Sequence, residues 1–256
     1  TGTGPDGRIV AEDVERAAAP AAAAPAPEQP EDVEVVALSA VRRTVARRLT
    51  EAWEVPAFQI SMSADMTRAA QLRARLVESA PDGSRPTITD ILIRAAAAAL
   101  TRHRPVNAHF AGDSVRLFAA VNCGVAVAIP QGLVVPVIRD AERKTIRELA
   151  AEREELIARA RDGKLRREDI EGGTFTISNL GMYGVEQFTA VLNPPEAAIL
   201  AVGAIEEKPV VDDGELVVKP LMQMTLTCDH RAVDGATAAE FLRTVKQLLE
   251  EPGLML

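Results

Sequence analysis

The chain is short of the residues that mark several protein classes. It has only two cysteines, Cys123 and Cys228. That is too few for a disulfide framework, and their spacing matches no metal site. Each falls inside an apolar run, so both are expected as small buried hydrophobes in a reducing compartment. Aromatics make up 3% of the chain, which leaves Val, Ile, Leu and Ala to fill the interior. No apolar run is long and clean enough to span a bilayer; the best helix candidate, residues 91–100, is far too short. Basic residues do not dominate, and the formal net charge is -8, which argues against nucleic acid as a partner. A secretory leader is missing, and so is an initiating Met. The first residues, Thr1-Gly2-Thr3-Gly4, read as the start of a fragment. No internal repeat is visible.

What is present falls into three parts. Gly4-Pro5-Asp6-Gly7 reads as a turn, and residues 12–16 as a short helix. The early glycines do not form a phosphate loop, since no strand precedes them and no Gly-x-Gly-x-x-Gly opens a helix. Residues 18–30 are nearly all Ala and Pro, a composition that builds a semi-rigid linker and no core. From about residue 33 onward the pattern is globular, and 47% hydrophobic residues overall suffice for a substantial core.

Within that part, residues 38–53, 67–78, 89–102, 145–161 and 236–249 read as helices. Thr89 is the expected N-cap of the third, and Thr237 to Glu240 a capping box for the last. The first helix carries Arg42, Arg43, Arg47 and Arg48 against one acid, Glu51, and presents a basic face. Strands are expected at 58–64, 121–129, 133–138, 174–178, 197–202 and 221–228. Asp212-Asp213-Gly214, between two short strands, signals a hairpin. Strands and helices mix without regular alternation, which favours an α+β or two-layer α/β domain over a barrel.

Three histidines limit the choice of general base. His103 lies at a helix end and His109 in a turn region, and both are expected as surface or capping residues. His230 follows a strand directly, in the loop Asp229-His230-Arg231-Ala232-Val233-Asp234-Gly235 before a helix. Loops at strand ends hold functional groups on a rigid scaffold, and an ordinary imidazole with a pKa near 6.5 suits proton abstraction at neutral pH. Asp234 fits a turn or an N-cap equally well. Ser178 ends the apolar strand Thr174-Phe175-Thr176-Ile177-Ser178. Its hydroxyl serves either a cleft or the strand's own hydrogen bonds.

Taken together, Asp229-His230-Arg231-x-x-Asp234-Gly235 and Phe175-Thr176-Ile177-Ser178-Asn179-Leu180-Gly181 resemble signatures of the dihydrolipoamide acyltransferase family. The 52-position spacing from Ser178 to His230 is as the family places it. Asn193 to Leu200, Gly132 to Val137 and Arg161 to Leu165 are further family-like stretches, so the resemblance covers nearly all of residues 41–256. Pro56-Ala57 departs from relatives that have Pro-His there. Residues 2–14 are similar to the second half of a peripheral subunit-binding domain. The resemblance divides the chain into that segment at 1–17, a linker at 18–36 and a catalytic domain at 37–256.

That resemblance implies an α/β (α+β) two-layer sandwich like chloramphenicol acetyltransferase, with a mixed sheet packed against helices. It implies acyl transfer, acetyl first, between a dihydrolipoyl thiol and coenzyme A as substrate. His230 is the expected base, Ser178 the oxyanion donor and Asp234 a contributor, through loop geometry or an arginine of the basic helix. The lipoyl group belongs to an upstream domain absent from this chain. Expected partners are a 2-oxo acid decarboxylase and dihydrolipoamide dehydrogenase, with a homotrimer building a larger core, Ser178 and His230 meeting across a subunit boundary, and a cytoplasmic location. Neither nucleic acid nor membrane is expected. The rivals are a non-catalytic scaffold, which would lose the histidine, a branched-chain or succinyl transferase, and a chloramphenicol acetyltransferase-like enzyme, which has His where Asp229 stands.

Overall fold

The computed structural model describes residues 2–11, 14, 33–80, 83–130 and 132–255. Two compact units are present, Thr1–Leu38 and Ser39–Leu256. In the first, Pro5–Gly7 forms a single 3-10 turn, closed by the Gly4 N–H donating to the Arg8 carbonyl at 2.9 Å. The expected helix over 12–16 lies, but for Val14, outside the described residues, as does the linker over 18–30.

The second unit is built on a six-stranded mixed sheet. Its strands are β1 (Ala57–Asp65), β4 (Cys123–Val125), β7 (Val137–Ile138), β8 (Phe175–Asn179), β9 (Ala198–Asp212) and β10 (Glu215–Asp229), in the order β1-β10-β9-β8-β4-β7. β8 runs parallel to both β9 and β4, and the other pairs are antiparallel. Two small ribbons stand apart: β2 (Ala108–Phe110) with β3 (Val115–Leu117), and β5 (Val127–Ile129) with β6 (Gly132–Val134).

The helices are α1 (Ala40–Trp53), α2 (Thr67–Glu78), α3 (Ile88–Arg102), α4 (Ile146–Arg161) and α5 (Gly235–Glu250). Side chains satisfy first-turn N–H groups that have no partner within the helix. Ser39 accepts from Arg42 N–H in α1, and Thr145 and Glu148 form a capping box on α4. Two expected starts are corrected. α3 begins at Ile88 rather than after Thr89, because Asp90 accepts both the N–H and the O–H of Thr87. α5 is capped by Asp234 accepting from Thr237 N–H at 2.8 Å, so the Thr237 to Glu240 box is not the cap.

Register divides the sheet into two unlike faces. Phe58, Ile60, Leu226, Cys228, Leu200, Ile177, Phe175 and Cys123 point to one side and join the main core. α3 fills the centre of that core and is buried nearly all round, from Asp90 to Leu100. Its alanines allow close approach of neighbouring helices, and each Leu or Ile it buries adds roughly 1.5–3 kcal/mol. Phe175 and Phe241 meet edge to face at 5.5 Å. The opposite side carries Ser61, Thr225, Ala201 and Ser178 in one cross-strand row, with Gln59, Thr227, Ile199, Thr176 and Gly124 in the next. The segment between β8 and β9 lies on this polar face: Gln187 donates to Ser61 and Thr225, and Thr227 donates to the Ala190 carbonyl.

Candidate active site

His230 leaves the sheet just past β10, and a dense set of bonds fixes the backbone there. The His230 N–H donates to the Pro56 carbonyl at 3.0 Å, and Ala232 and Val233 N–H both donate to the Asp229 carbonyl. The imidazole is exposed and tilts at 51° against the Phe58 ring, with centroids 4.7 Å apart. Next to it in the chain Asp229, only 4% exposed, takes both arms of the Arg231 guanidinium at 2.9 and 2.8 Å. It also accepts the Arg231 N–H at 3.0 Å. The same guanidinium lies 4.1 Å above the Phe110 ring.

Asp234 closes the loop as the α5 cap. The Thr237 backbone N–H, then its hydroxyl, hold this carboxyl below the usual range, with a smaller contribution from His230. Among the described residues it forms no ion pair with an arginine. Arg42, Arg43, Arg47 and Arg48 of α1 are exposed.

Ser178 sits on β8, in register with Ala201 of β9, and is half-buried. Among the described residues its hydroxyl has no hydrogen-bond partner, which leaves it free to donate. The strand end is fastened by the next residue: Asn179 donates to the Thr89 hydroxyl at 3.1 Å and accepts the Gly181 N–H at 2.8 Å. Asp90, the neighbour of Thr89, is in turn clamped by Arg153 at 2.7 Å in a pair with side chains 0% and 11% exposed.

One chain does not bring Ser178 and His230 together. Ser178 is level with Thr225 through Ala201, and His230 lies five residues farther along and two strands across. At about 3.3 Å per residue and 4.8 Å per strand, the two backbones are roughly 19 Å apart. Neither side chain spans that gap.

His103 and His109 stand elsewhere. His103 ends α3 and bonds to the Thr244 hydroxyl at 2.8 Å. His109, expected in a surface turn, is instead part of β2, half-buried, with Nε2 2.9 Å from the Gly173 carbonyl and its ring against Phe118. Burial pushes both imidazoles down, which disfavours their protonated forms.

Glu196 is a residue that the sequence pattern does not single out. It is 5% exposed, accepts the Thr176 hydroxyl at 2.5 Å and the Asn193 amide at 3.2 Å, and has no cation beside it among the described residues. Burial pushes its carboxyl up to about 8. A signal is available: one acid directly before the apolar run Ala197-Ala198-Ile199-Leu200 enters the sheet with that run.

Comparison with known proteins decides the family. The model for the 2-oxoacid dehydrogenases acyltransferase catalytic domain matches residues 30–256. The chain belongs to this family. It is 41% identical over 261 residues to the dihydrolipoyllysine-residue acetyltransferase component of the acetoin cleaving system of Bacillus subtilis, covering 100% of this chain and 65% of that protein. The chain thus spans under two thirds of that relative's length. Among solved structures, the dihydrolipoamide acetyltransferase of Azotobacter vinelandii superposes with a TM-score of 0.84 at 32% identity, covering 90% of this chain and 99% of that one. A serine, a histidine and an asparagine were investigated for their role in the mechanism of that enzyme. Their spacings, 52 and 4 positions, equal those of Ser178, His230 and Asp234. The cubic core of a pyruvate dehydrogenase multienzyme complex matches with a TM-score of 0.84 at 33% identity, covering 90% of this chain and 99% of that one. Chloramphenicol acetyltransferase, at 15% identity and a TM-score of 0.50 over 79% of this chain and 94% of that one, shares the fold alone. The expected mixed sheet packed against helices is therefore present, and the chain carries an acyltransferase catalytic domain. Among the described residues no helix is long and apolar enough to cross a membrane.

Proposed function

We propose that this chain passes an acyl group, acetyl first, between a dihydrolipoyl thiol and coenzyme A in a 2-oxo acid dehydrogenase complex, with His230 as base. The observation that carries the reading is the pinned loop after β10, which presents an exposed imidazole with no competing hydrogen bond among the described residues. A free thiol has a pKa of about 8.5 and is mostly protonated at neutral pH. His230 takes the thiol proton as sulfur attacks the thioester carbonyl. A C–S bond forms and the carbonyl oxygen becomes an oxyanion, to which the Ser178 hydroxyl donates. Collapse breaks the original C–S bond, and the departing thiolate recovers the proton from the imidazolium. No net redox change occurs. Asp234 sets the loop by capping α5 and moves no proton.

The gap between Ser178 and His230 within one chain supports a site completed by a second copy. Its Ser178 side would face this chain's His230 side, in a trimer that builds a larger core. The same proposal includes a decarboxylase and a dihydrolipoamide dehydrogenase as partners, a subunit-binding segment at 1–17, a linker at 18–36 and a cytoplasmic location. His230→Ala is expected to lower acetyl transfer from acetyl-coenzyme A to dihydrolipoamide by about 10²–10⁴-fold. A loss under tenfold rules the histidine out as base. Competition among acetyl-, isobutyryl- and succinyl-coenzyme A decides the acyl group.

A further inference from the structure

Asp229 and Arg231 flank His230, yet neither faces the reacting atoms in the mechanism above. Their arrangement is costly for a surface loop. A nearly buried carboxylate is held by a two-armed guanidinium, and that guanidinium lies over the Phe110 ring of a different sheet. Arginine is suited to this double task, since its planar fork grips a carboxylate with one edge and stacks with its face. The outcome is a ring of contacts around one peptide. Asp229 is anchored beside β9 through its N–H to the Ala197 carbonyl, Arg231 is anchored to Asp229 and β2, and His230 between them is tied to Pro56 and packed on Phe58.

We propose that Arg231 is a positioning residue. Its fork on Asp229 and its stacking on Phe110 fix the direction in which the His230 imidazole leaves the loop. Without that clamp the backbone keeps its bond to Pro56, but the loop can twist about it and the ring swings off the thiol's line. A displacement near 1 Å at a reacting group costs about 10²-fold in rate. The proposal rests on the reading of His230 as base.

The test uses the assembled full chain with acetyl-coenzyme A and dihydrolipoamide. Arg231→Met is expected to lower kcat by about 10²-fold and Arg231→Lys, which keeps charge but loses fork and face, by about tenfold, with KM for acetyl-coenzyme A within about twofold. Phe110→Leu removes only the stacking surface and is expected to lose about tenfold in kcat, with Phe110→Tyr restoring it. If Arg231→Met fails to assemble, the Phe110 pair carries the decision. Arg231→Met and Arg231→Lys within threefold of the parent kcat, or Phe110→Leu equal to Phe110→Tyr, overturn the proposal. His230→Ala is measured alongside. A loss under tenfold there ends the base reading and this one with it. A larger loss, with the Arg231 variants unimpaired, ends only the clamp.

Discussion

The exit of β10 and the end of β8 present their side chains by opposite means. At β10 the strand has stopped, and a loop must be held in place by an ion pair, a stacked guanidinium and a helix cap. At β8 the ladder itself holds Ser178, with parallel neighbours on both sides of the strand, and the Asn179 side chain and the Leu180 N–H, which donates to the Val202 carbonyl, fasten the end. A strand needs few side-chain bonds to aim a hydroxyl, because the pleat fixes its face. A loop needs many. The base side is therefore expected to be sensitive to many substitutions and the oxyanion side to few.

Ser178→Ala is expected to lower kcat by about 10²–10³-fold, and the larger effect comes from combining it with His230→Ala. If the two ends meet only between copies, co-assembling the two inactive variants restores about a quarter of the sites, since each site takes one residue from each neighbour at random. Mixed assemblies as inactive as their parents would instead place both groups in one chain's site. A second test concerns the floor under β8. Glu196 has its folded pKa raised to about 8, so the folded state holds a proton that the unfolded chain releases above its own, lower pKa. Stability is full at acid pH and declines as pH rises from about 4.5 to about 8, by on the order of a few kcal/mol. Thermal midpoints of Glu196→Gln against pH should lack that decline, and an unchanged slope would show the carboxyl ionised throughout. Asn179→Ala should cost roughly 1 kcal/mol in denaturant unfolding and lower kcat several-fold at constant KM, less than any change to the Arg231 clamp. Asp234→Asn should matter least, since Asn caps a helix as well as Asp. The depressed Asp234 pKa means its contribution is present above the unfolded value and lost as pH falls through the folded one. The Asn variant should therefore unfold at slightly lower pH. A tenfold loss of kcat at pH 7 would move Asp234 into the chemistry.

Much of this architecture is legible in the residues alone. α2 matches its expected span, Thr67–Glu78, because helix periodicity runs unbroken there. The strand expected over 121–129 is instead split at Ala126, whose N–H turns to the Ile177 carbonyl while Val125 N–H takes that of Pro136. Apolar runs do not record a change of partner. β9 and β10 run on past the strands expected at 197–202 and 221–228 and take in the two short strands of the hairpin. Beyond the reach of β1 and β8 the two strands form a ribbon with open edges, where Pro interrupts no further ladder. In the site, His230 and Ser178 stand out through motif and position. The fork between Arg231 and Asp229 and the burial of Glu196 do not, since a charge chooses its partner only after distant segments meet.

The two cysteines on the helix side of the sheet carry a last consequence. Burial pushes the Cys228 thiol up to about 12 and Cys123 higher still, and the sheet and helices enclose both. In a chain proposed to handle dihydrolipoyl and coenzyme A thiols, these two positions thus hold enclosed, protonated thiols. Neither is expected to capture the acyl group or to exchange into mixed disulfides with the substrates.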